Sequence, residues 1–326
     1  MPFKYFQSRR NSATHSSEKK RNWSNYNKRM KMRGDIAIWL SPDVIQQWHV
    51  ADRIYDGNGA PHLYSDMAIL TVHEIRQVFK LPLRQCEGFV NALFSLMKLD
   101  LRCPSFSTLS KRLRTLKLSR PFYRLAHLDA QDIKTIAIDS TGLKCYGQDE
   151  WALEKYGKTR QKRDWRKLHI TVDQHHIIQT SALTDRKVHD METVNSLITP
   201  MHNIVKQVTA DTAYDANKIY QSLQNKFPNV DVVIPPKKGS IYNKESEWMR
   251  NRNIEEIQCY GHMTWQEKRQ YGNRNHSECA IGRYKRILGN KLHAREFLRQ
   301  QQEAIIGCSI LNKMMCLSLG QIRSKF

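Results

Sequence analysis

Four polar side chains in the C-terminal part of the chain have types and spacing suited to handling phosphate: Tyr271, Arg274, Glu278 and Lys285. At 100° per residue on a helix, the tyrosine, arginine and lysine all fall within about 40° of Glu278. One carboxylate is thus flanked along a single stripe by a phenol, a guanidinium and an ammonium. Arginine is a bidentate clamp for phosphate and lysine a point charge. The opposite side carries Ala280, Ile281, Tyr284, Ile287 and Leu288, an apolar face fit to pack on a sheet, and Gly289 supplies a stop. Taken alone, such a stripe is also what a solvated helix carries. Two further carboxylates distinguish this one. Asp139 ends the apolar run Thr135-Ile-Ala-Ile and is followed by a turn, and Asp211 stands at the end of Val205-Lys-Gln-Val-Thr-Ala.

The elements that must position these residues follow from periodicity. From Asp132 onward we expect a strand over 133–141, a charged loop over 142–165, and a hairpin of strands 166–173 and 176–183 turning at Gln174-His175. A helix over 190–201, a strand over 206–209, a helix over 216–227 and a strand over 230–234 come next, ended by Pro235-Pro236. The basic loop Lys237-Lys238-Gly239 leads to the helix of Glu278, and an apolar helix over 300–317 closes the chain. Asp215 reads as a helix cap, and Asp173, Asp185 and Asp190 as turn or cap acids. Trp248 and Trp265 read as core or lid aromatics, with stacking on a displaced base as the alternative.

Ahead of this lies a different composition. Residues 1–36 are rich in Lys, Arg, Ser and Asn, with Glu18 as the lone acid before Asp35. Such a segment buries too little apolar surface to order itself and is expected to be a mobile basic arm, with Trp23 and Tyr26 available for stacking. Residues 37–128 show helical periodicity: Ala68, Ile69, Val72, Ile75 and Val78 in one run, then Phe89, Val90, Leu93, Phe94 and Met97 after Pro82, then a basic helix from Ser107 to Lys117. The last two suggest a helix-turn-helix, with Ser107, Thr108, Ser110 and Lys111 facing base edges and Arg112 and Arg114 facing phosphates.

The chain has 326 residues and a formal charge of +22, which favours a polyanionic partner, nucleic acid ahead of anionic membrane. No apolar run reaches the length of a membrane span, and the expectation is a cytoplasmic protein working on DNA. Seven scattered cysteines without a Cys-x-x-Cys pair read as reduced thiols.

Ile138-Asp139-Ser-Thr-Gly-Leu143, Trp165-Arg-Lys-Leu-His169, Ala210-Asp211 with Tyr214-Asp215, and the Tyr271–Lys285 spacing together resemble the transposases of bacterial insertion sequences, in the insertion-sequence-five group of the DDE class. The spacing of the four signature residues fits that group's Tyr–Arg–Glu–Lys pattern without departure, and the resemblance spans roughly residues 40 to 315. It implies a ribonuclease-H-like α/β domain over 129–320 with a five-stranded mixed sheet, preceded by an all-α helix-turn-helix-like DNA-binding region over 37–128. It implies that Asp139, Asp211 and Glu278 converge as the catalytic and metal-binding acids. Tyr271, Arg274 and Lys285 would contact DNA phosphates, with Arg166, Lys167 and His169 as further DNA-binding candidates beside Lys111, Arg112 and Arg114.

Three converging carboxylates repel one another unless positive charge lies between them, and hard oxygen-seeking cations meet that need: two Mg²⁺ or Mn²⁺ per site. Such a pair supports phosphodiester cleavage at terminal inverted repeats and joining of the 3′-hydroxyls to target DNA, carried out by a homodimer holding two ends. The competing readings are a metal-dependent nuclease that never joins, and an inactive DNA-binding remnant. The basic helical region speaks against the first, and the complete set of acids and signature residues against the second.

Overall fold

The computed structural model describes residues 23–51, 62–116, 118–124, 133–145, 165–201, 204–245, 248–318 and 323–324. Its helical part comprises α1 (Trp23–Met32), α2 (Pro42–Gln46), α3 (Asp66–Val78), α4 (Leu83–Leu96) and α5 (Phe106–Thr115). Ser65 and Ser105 start α3 and α5 by accepting the N–H groups of Ala68 (3.1 Å) and Thr108 (3.3 Å), so two otherwise orphaned donors are satisfied. The expected apolar stripe of α3 is buried completely at Ala68, Ile69, Val72 and Ile75.

The sheet contains β2 (Thr135–Cys145), β3 (Trp165–Asp173), β4 (Ile178–Asp185), β5 (Gln207–Thr209) and β6 (Asp231–Val233) in the spatial order β4-β3-β2-β5-β6. β2–β3 and β3–β4 run antiparallel, and β2–β5 and β5–β6 run parallel. A sixth strand, β7 (Lys291–Leu292), pairs in parallel with Lys144–Cys145, so the sheet has six strands and not the expected five. Two residues are too few to show alternation in a sequence. β2 also continues past Thr141 to Cys145, where β3 and β7 supply partners. A separate two-stranded ladder pairs β1 (Tyr123–Arg124) with β8 (Arg323–Ser324).

α6 (Asp190–Ile198) and α7 (Asn217–Lys226) cover one face of the sheet, burying Ile136 and Ile138 against Val194, Leu197, Ile219 and Leu223. The other face receives α10 (Asn275–Ile287) and the long α11 (Phe297–Ser318), with Leu143, Leu168, Ile170 and Val172 in a core shared with Tyr284, Ile306 and Leu311. That core runs on without a break into Ile69, Val72, Val90, Phe94 and Leu109 of the helical part. Between β6 and α10 stand α8 (Trp248–Tyr260) and α9 (His262–Lys268), absent from the sequence-based expectation. The inner side of α8 is built partly of amides, Asn253 donating to the Val232 carbonyl (3.1 Å) and Asn251 to that of Asn243 (2.7 Å). Apolar periodicity is therefore weak there.

Two further expectations are corrected, and the core reading of Trp265 holds. Residues 23–32 of the supposed basic arm form α1, which packs against α11, and Arg33 donates to Met315 Sδ (3.4 Å); residues 1–22 lie outside the described residues. α4 and α5 are joined by residues 97–105, longer than the three- or four-residue turn of a helix-turn-helix. Trp265 is a fully buried core residue that donates Nε1 to Asn253 (3.3 Å) and lies 5.4 Å from the Tyr271 ring. Trp248 is 60 % exposed, under the Arg252 guanidinium.

Candidate active site

Pairing places the first two acids together. In the parallel β2–β5 ladder Ala137 stands opposite Thr209, and Asp139 and Asp211 each follow two residues later. Asp139, still within β2, and Asp211, just past β5, therefore stand beside each other at the same level of adjacent strands, roughly 4.8 Å apart. Alternation along β2 sends Ile136 and Ile138 towards α6 and α7, and the opposite parity puts Asp139 on the α10 side. Asp211 caps the short 3-10 turn Thr212–Tyr214, accepting the Ala213 N–H at 2.9 Å.

Glu278 comes from the first turn of α10. The Tyr271–Arg274 segment is itself a 3-10 turn, entered through Gln270 in the left-handed region (φ 51°), and the α-helix begins at Asn275. The apolar face read from the sequence holds α10 down, with Ala280 and Tyr284 buried, and Gly289 at φ 102° ends it as expected. Glu278 is left on the outer face, its side chain half exposed.

Arg274 connects the acids. Its Nη1 donates to Glu278 Oε1 at 2.6 Å, and its Nη2 lies 4.0 Å from Asp139 Oδ2. Burial works against the charge of this guanidinium, but Tyr271 and the carboxylates Asp139, Glu278 and Asp211 outweigh it, and the group is held above its ordinary value. Asp139 is shifted the other way. Burial pushes its carboxyl up, opposed by the Ser140 N–H (2.8 Å) and by Arg274 and reinforced by Asp211 and Glu278. Burial also raises the Tyr271 phenol, to about 12. All three acids and two of the three other signature residues thus belong to one electrostatic cluster. Lys285 lies exposed further along α10.

The donor set is oxygen only, which suits hard divalent cations. Among the described residues, no three Asp, Glu, His or Cys side chains form a ready-made metal site, and the positive charge between Asp139 and Glu278 is that of Arg274.

The β3 residues behave differently from expectation. His169 has no exposed surface; its ring nitrogens face Thr184 Oγ1 (2.8 Å) and Thr193 Oγ1 (3.2 Å), and it is withdrawn as a DNA contact. Arg166 donates to Asp185 (2.6 Å) and Gln300 (3.3 Å), and Lys167 donates to Asp190 (2.9 Å) and to the Val188 carbonyl (2.9 Å). Both cations are turned inward because helix α6 and the β4 end present acids to them. Asp190, read from the sequence as a turn or cap acid, has a further part here. It accepts from Lys167 and from the Ser140 hydroxyl (2.9 Å), which ties the strand position next to Asp139 to α6. Burial would raise its carboxyl, but those two bonds outweigh burial and hold it low. Its only sequence signal is a His-Asp pair before a helix.

Arg112, expected on phosphate, is also withdrawn. It is buried, ion-paired with Asp66 and bonded to the Tyr64 carbonyl (3.1 Å), because α5 packs on α3 through that side. Arg114 is exposed beside Glu296 (3.2 Å), and Lys111 is exposed.

A mixed sheet of this order, covered by helices on both faces and carrying one acid within its central strand and another just past the neighbouring strand, fits a ribonuclease-H-like domain of the DDE kind. Residues 130–313 match a family model described as a transposase DDE domain, and residues 31–148 match a second model of the same description. The first match alone covers more than half of the chain, and the protein belongs to the DDE transposase family. No helix among the described residues is long and apolar enough to cross a membrane.

Proposed function

We propose that this chain is the transposase of an insertion sequence of the insertion-sequence-five group, cleaving DNA at its element's terminal inverted repeats and joining the 3′-hydroxyls to target DNA. The observation that carries the proposal is the Arg274 bridge. Acids from β2 and α10, with a third from the end of β5, share one electropositive centre although they are far apart in sequence.

Asp139, Asp211 and Glu278 are the residues that would hold two Mg²⁺ or Mn²⁺ ions. Bound ions of this kind activate a hydroxyl for attack on phosphorus and stabilise the departing oxygen. The chain's own cations supply the rest. Tyr271, Arg274 and Lys285 take DNA phosphates, and Arg274 exchanges its carboxylate partners for phosphate oxygens as DNA enters. Asp190 acts as a positioning residue, fixing Ser140 and with it the Asp139 backbone. The nucleophile is water for cleavage and the freed 3′-hydroxyl for joining, so no covalent protein–DNA intermediate forms. Residues 129–320 serve as the catalytic domain and 37–128 as the helical DNA-binding part. Lys111 and Arg114 of that part face the DNA, and two copies of the chain hold two ends.

The test is cleavage and joining of a labelled duplex from the element's own flank with Mg²⁺, comparing the native chain with Glu278→Gln. Nicking at the terminus and joining by the native chain, with binding alone by Glu278→Gln, supports the reading. Cleavage without joining would leave a nuclease; binding without cleavage in Mg²⁺ or Mn²⁺ by either protein would leave a DNA-binding remnant.

A further inference from the structure

We propose that Gln207 is a positioning residue for the phosphate-binding turn: its amide fixes the segment carrying Tyr271 and Arg274 to the strand that leads to Asp211. This inference rests on the transposase reading above, in which Tyr271 and Arg274 take DNA phosphates. Val208 of β5 is buried in the core beneath α6 and α7, so alternation turns Gln207 and Thr209 to the other side of the sheet, the side of α10. There both ends of the Gln207 amide are spent on one short stretch of chain. Nε2 donates to the Arg269 carbonyl (3.0 Å), and Oε1 accepts from Asn273 Nδ2 (2.8 Å).

That stretch needs support from outside. Gln270, between the two bonded residues, sits at φ 51°, in the left-handed region where a residue with a Cβ is uncommon and persists only when its surroundings hold it. The Asn273 N–H bonds to the Gln270 carbonyl (3.0 Å), and the Gln270 N–H bonds to that of Glu267 (3.1 Å). Neither of these bonds ties the turn to the sheet. The Gln207 amide does.

One end of the bonded stretch is anchored. Arg269 is ion-paired with Glu256 of α8 and has Nη1 3.9 Å from Asp231 Oδ2, and Asp231 stands opposite Gln207 in the β5–β6 ladder. The other end is the working one. Asn273 precedes Arg274, whose carbonyl accepts the Ser277 hydroxyl (2.8 Å) and whose guanidinium reaches towards both Glu278 and Asp139. Arg274 Nε is buried with no hydrogen-bond partner, so the fork holds a donor still to be spent on a phosphate oxygen. A planar fork serves phosphate only when it is aimed, and Gln207 sets that aim from a strand of the sheet.

The experiment uses the full chain and a fluorescein-labelled duplex from the element's end, with binding followed by anisotropy in a chelator over a range of potassium chloride concentrations. Arg274→Gln removes one phosphate contact, which should weaken binding about tenfold and flatten the plot of log Kd against log salt by about 0.9. Gln207→Leu leaves the net charge unchanged and keeps a side chain of similar size, yet it should weaken binding about fivefold and flatten the plot by more than half as much as Arg274→Gln does. The double variant should bind within about twofold of Arg274→Gln alone, because Gln207 acts through the arginine. Thermal unfolding checks the fold of each variant. Should Gln207→Leu not fold, Asn273→Ala removes the Asn273–Gln207 bond from its other side and faces the same criteria.

A native salt slope in Gln207→Leu, with Arg274→Gln flattened as expected, overturns the positioning role and leaves the transposase reading standing. So does a double variant weaker than Arg274→Gln by the full factor that Gln207→Leu costs by itself, since Gln207 would then act independently of the arginine. A merely structural glutamine would lower Tm without moving the slope. If Arg274→Gln leaves the slope unchanged, or the native chain fails to bind the duplex, the phosphate role given to Arg274 falls and this inference with it.

Discussion

Replacing Arg250 by methionine tests whether the acid-bearing loop after β5 is held by a buried charge pair. Asp215, four residues after Asp211, has a side chain with no exposed surface, and Arg250 grips it with Nε on Oδ1 (2.8 Å) and Nη2 on Oδ2 (3.1 Å). The Lys237 N–H adds a third bond at 3.0 Å. Arg250→Met keeps most of the volume but leaves a carboxylate buried and uncompensated, which costs about 3–5 kcal/mol. With an unfolding entropy of about 2.1 cal/mol/K per residue, the chain gives ~0.7 kcal/mol/K, so Tm should fall by about 4–7 °C. The assay is thermal unfolding in a chelator, with Asp215→Asn and the double variant completing a cycle. The double variant should recover most of the loss, because removing both charges leaves no ion stranded. A Tm within about 1 °C of the parent for Arg250→Met, or a double variant as unstable as the sum of the singles, would refute the reasoning.

Gly307→Ala should destabilise by about 1–2 kcal/mol: its new Cβ would stand 2.8 Å from Tyr284 Cε2 and Oη and 3.0 Å from Leu288 Cδ1, and this overpacking outweighs the roughly 1 kcal/mol gained in helix propensity. Because the clash pushes on α10, DNA cleavage should fall with Tm, and an unchanged Tm would show that the contact yields freely. Asp139→Asn should abolish cleavage yet raise stability at neutral pH. The Asp139 carboxyl is raised on folding, so its contribution is present below the ordinary carboxylate range and lost as pH rises through the raised value. The gain should vanish near pH ~3, and equal urea midpoints for variant and parent at pH 7 would contradict it. His73, lowered to about 4 by burial and by nearby Arg76, runs in the opposite sense. Its stability contribution is complete above the ordinary histidine value and lost as pH falls towards about 4, amounting to about 2 kcal/mol by pH 5. Urea unfolding of His73→Gln should show a pH 7 to pH 5 loss smaller by that amount, and an undiminished loss would place the acid sensitivity elsewhere.

Local pattern carried much of the architecture. The apolar stripe of α3, the β3–β4 hairpin and the short parallel strands each satisfy their own periodicity before any tertiary contact forms. The three candidate acids were legible for a related reason. A carboxylate at the end of an apolar run stands out whether the strand stops there, as β5 does before Asp211, or runs on, as β2 does past Asp139, and the Tyr271–Lys285 interval is a spacing along one short stretch of chain. Elements stabilised by partners instead of pattern were illegible. β7 exists because β2 offers it an edge, α8 faces inward through amides, and Tyr271–Arg274 tightens into a 3-10 turn after a left-handed residue.

The sequence by itself determined the residue types available to the site and the order of strands and helices that carries them, because both depend on contacts between near neighbours in the chain. Tertiary structure decided which charges remain available. Arg112, Arg166, Lys167 and His169 look like exposed basic residues in sequence, yet each is consumed by a partner from another element: Asp66, Asp185, Asp190 and the Thr184–Thr193 pair. Arg274, with the same composition around it, is directed to Asp139 and Glu278 instead. A buried charge must find its counter-charge wherever packing puts one, and packing joins residues that the sequence keeps far apart.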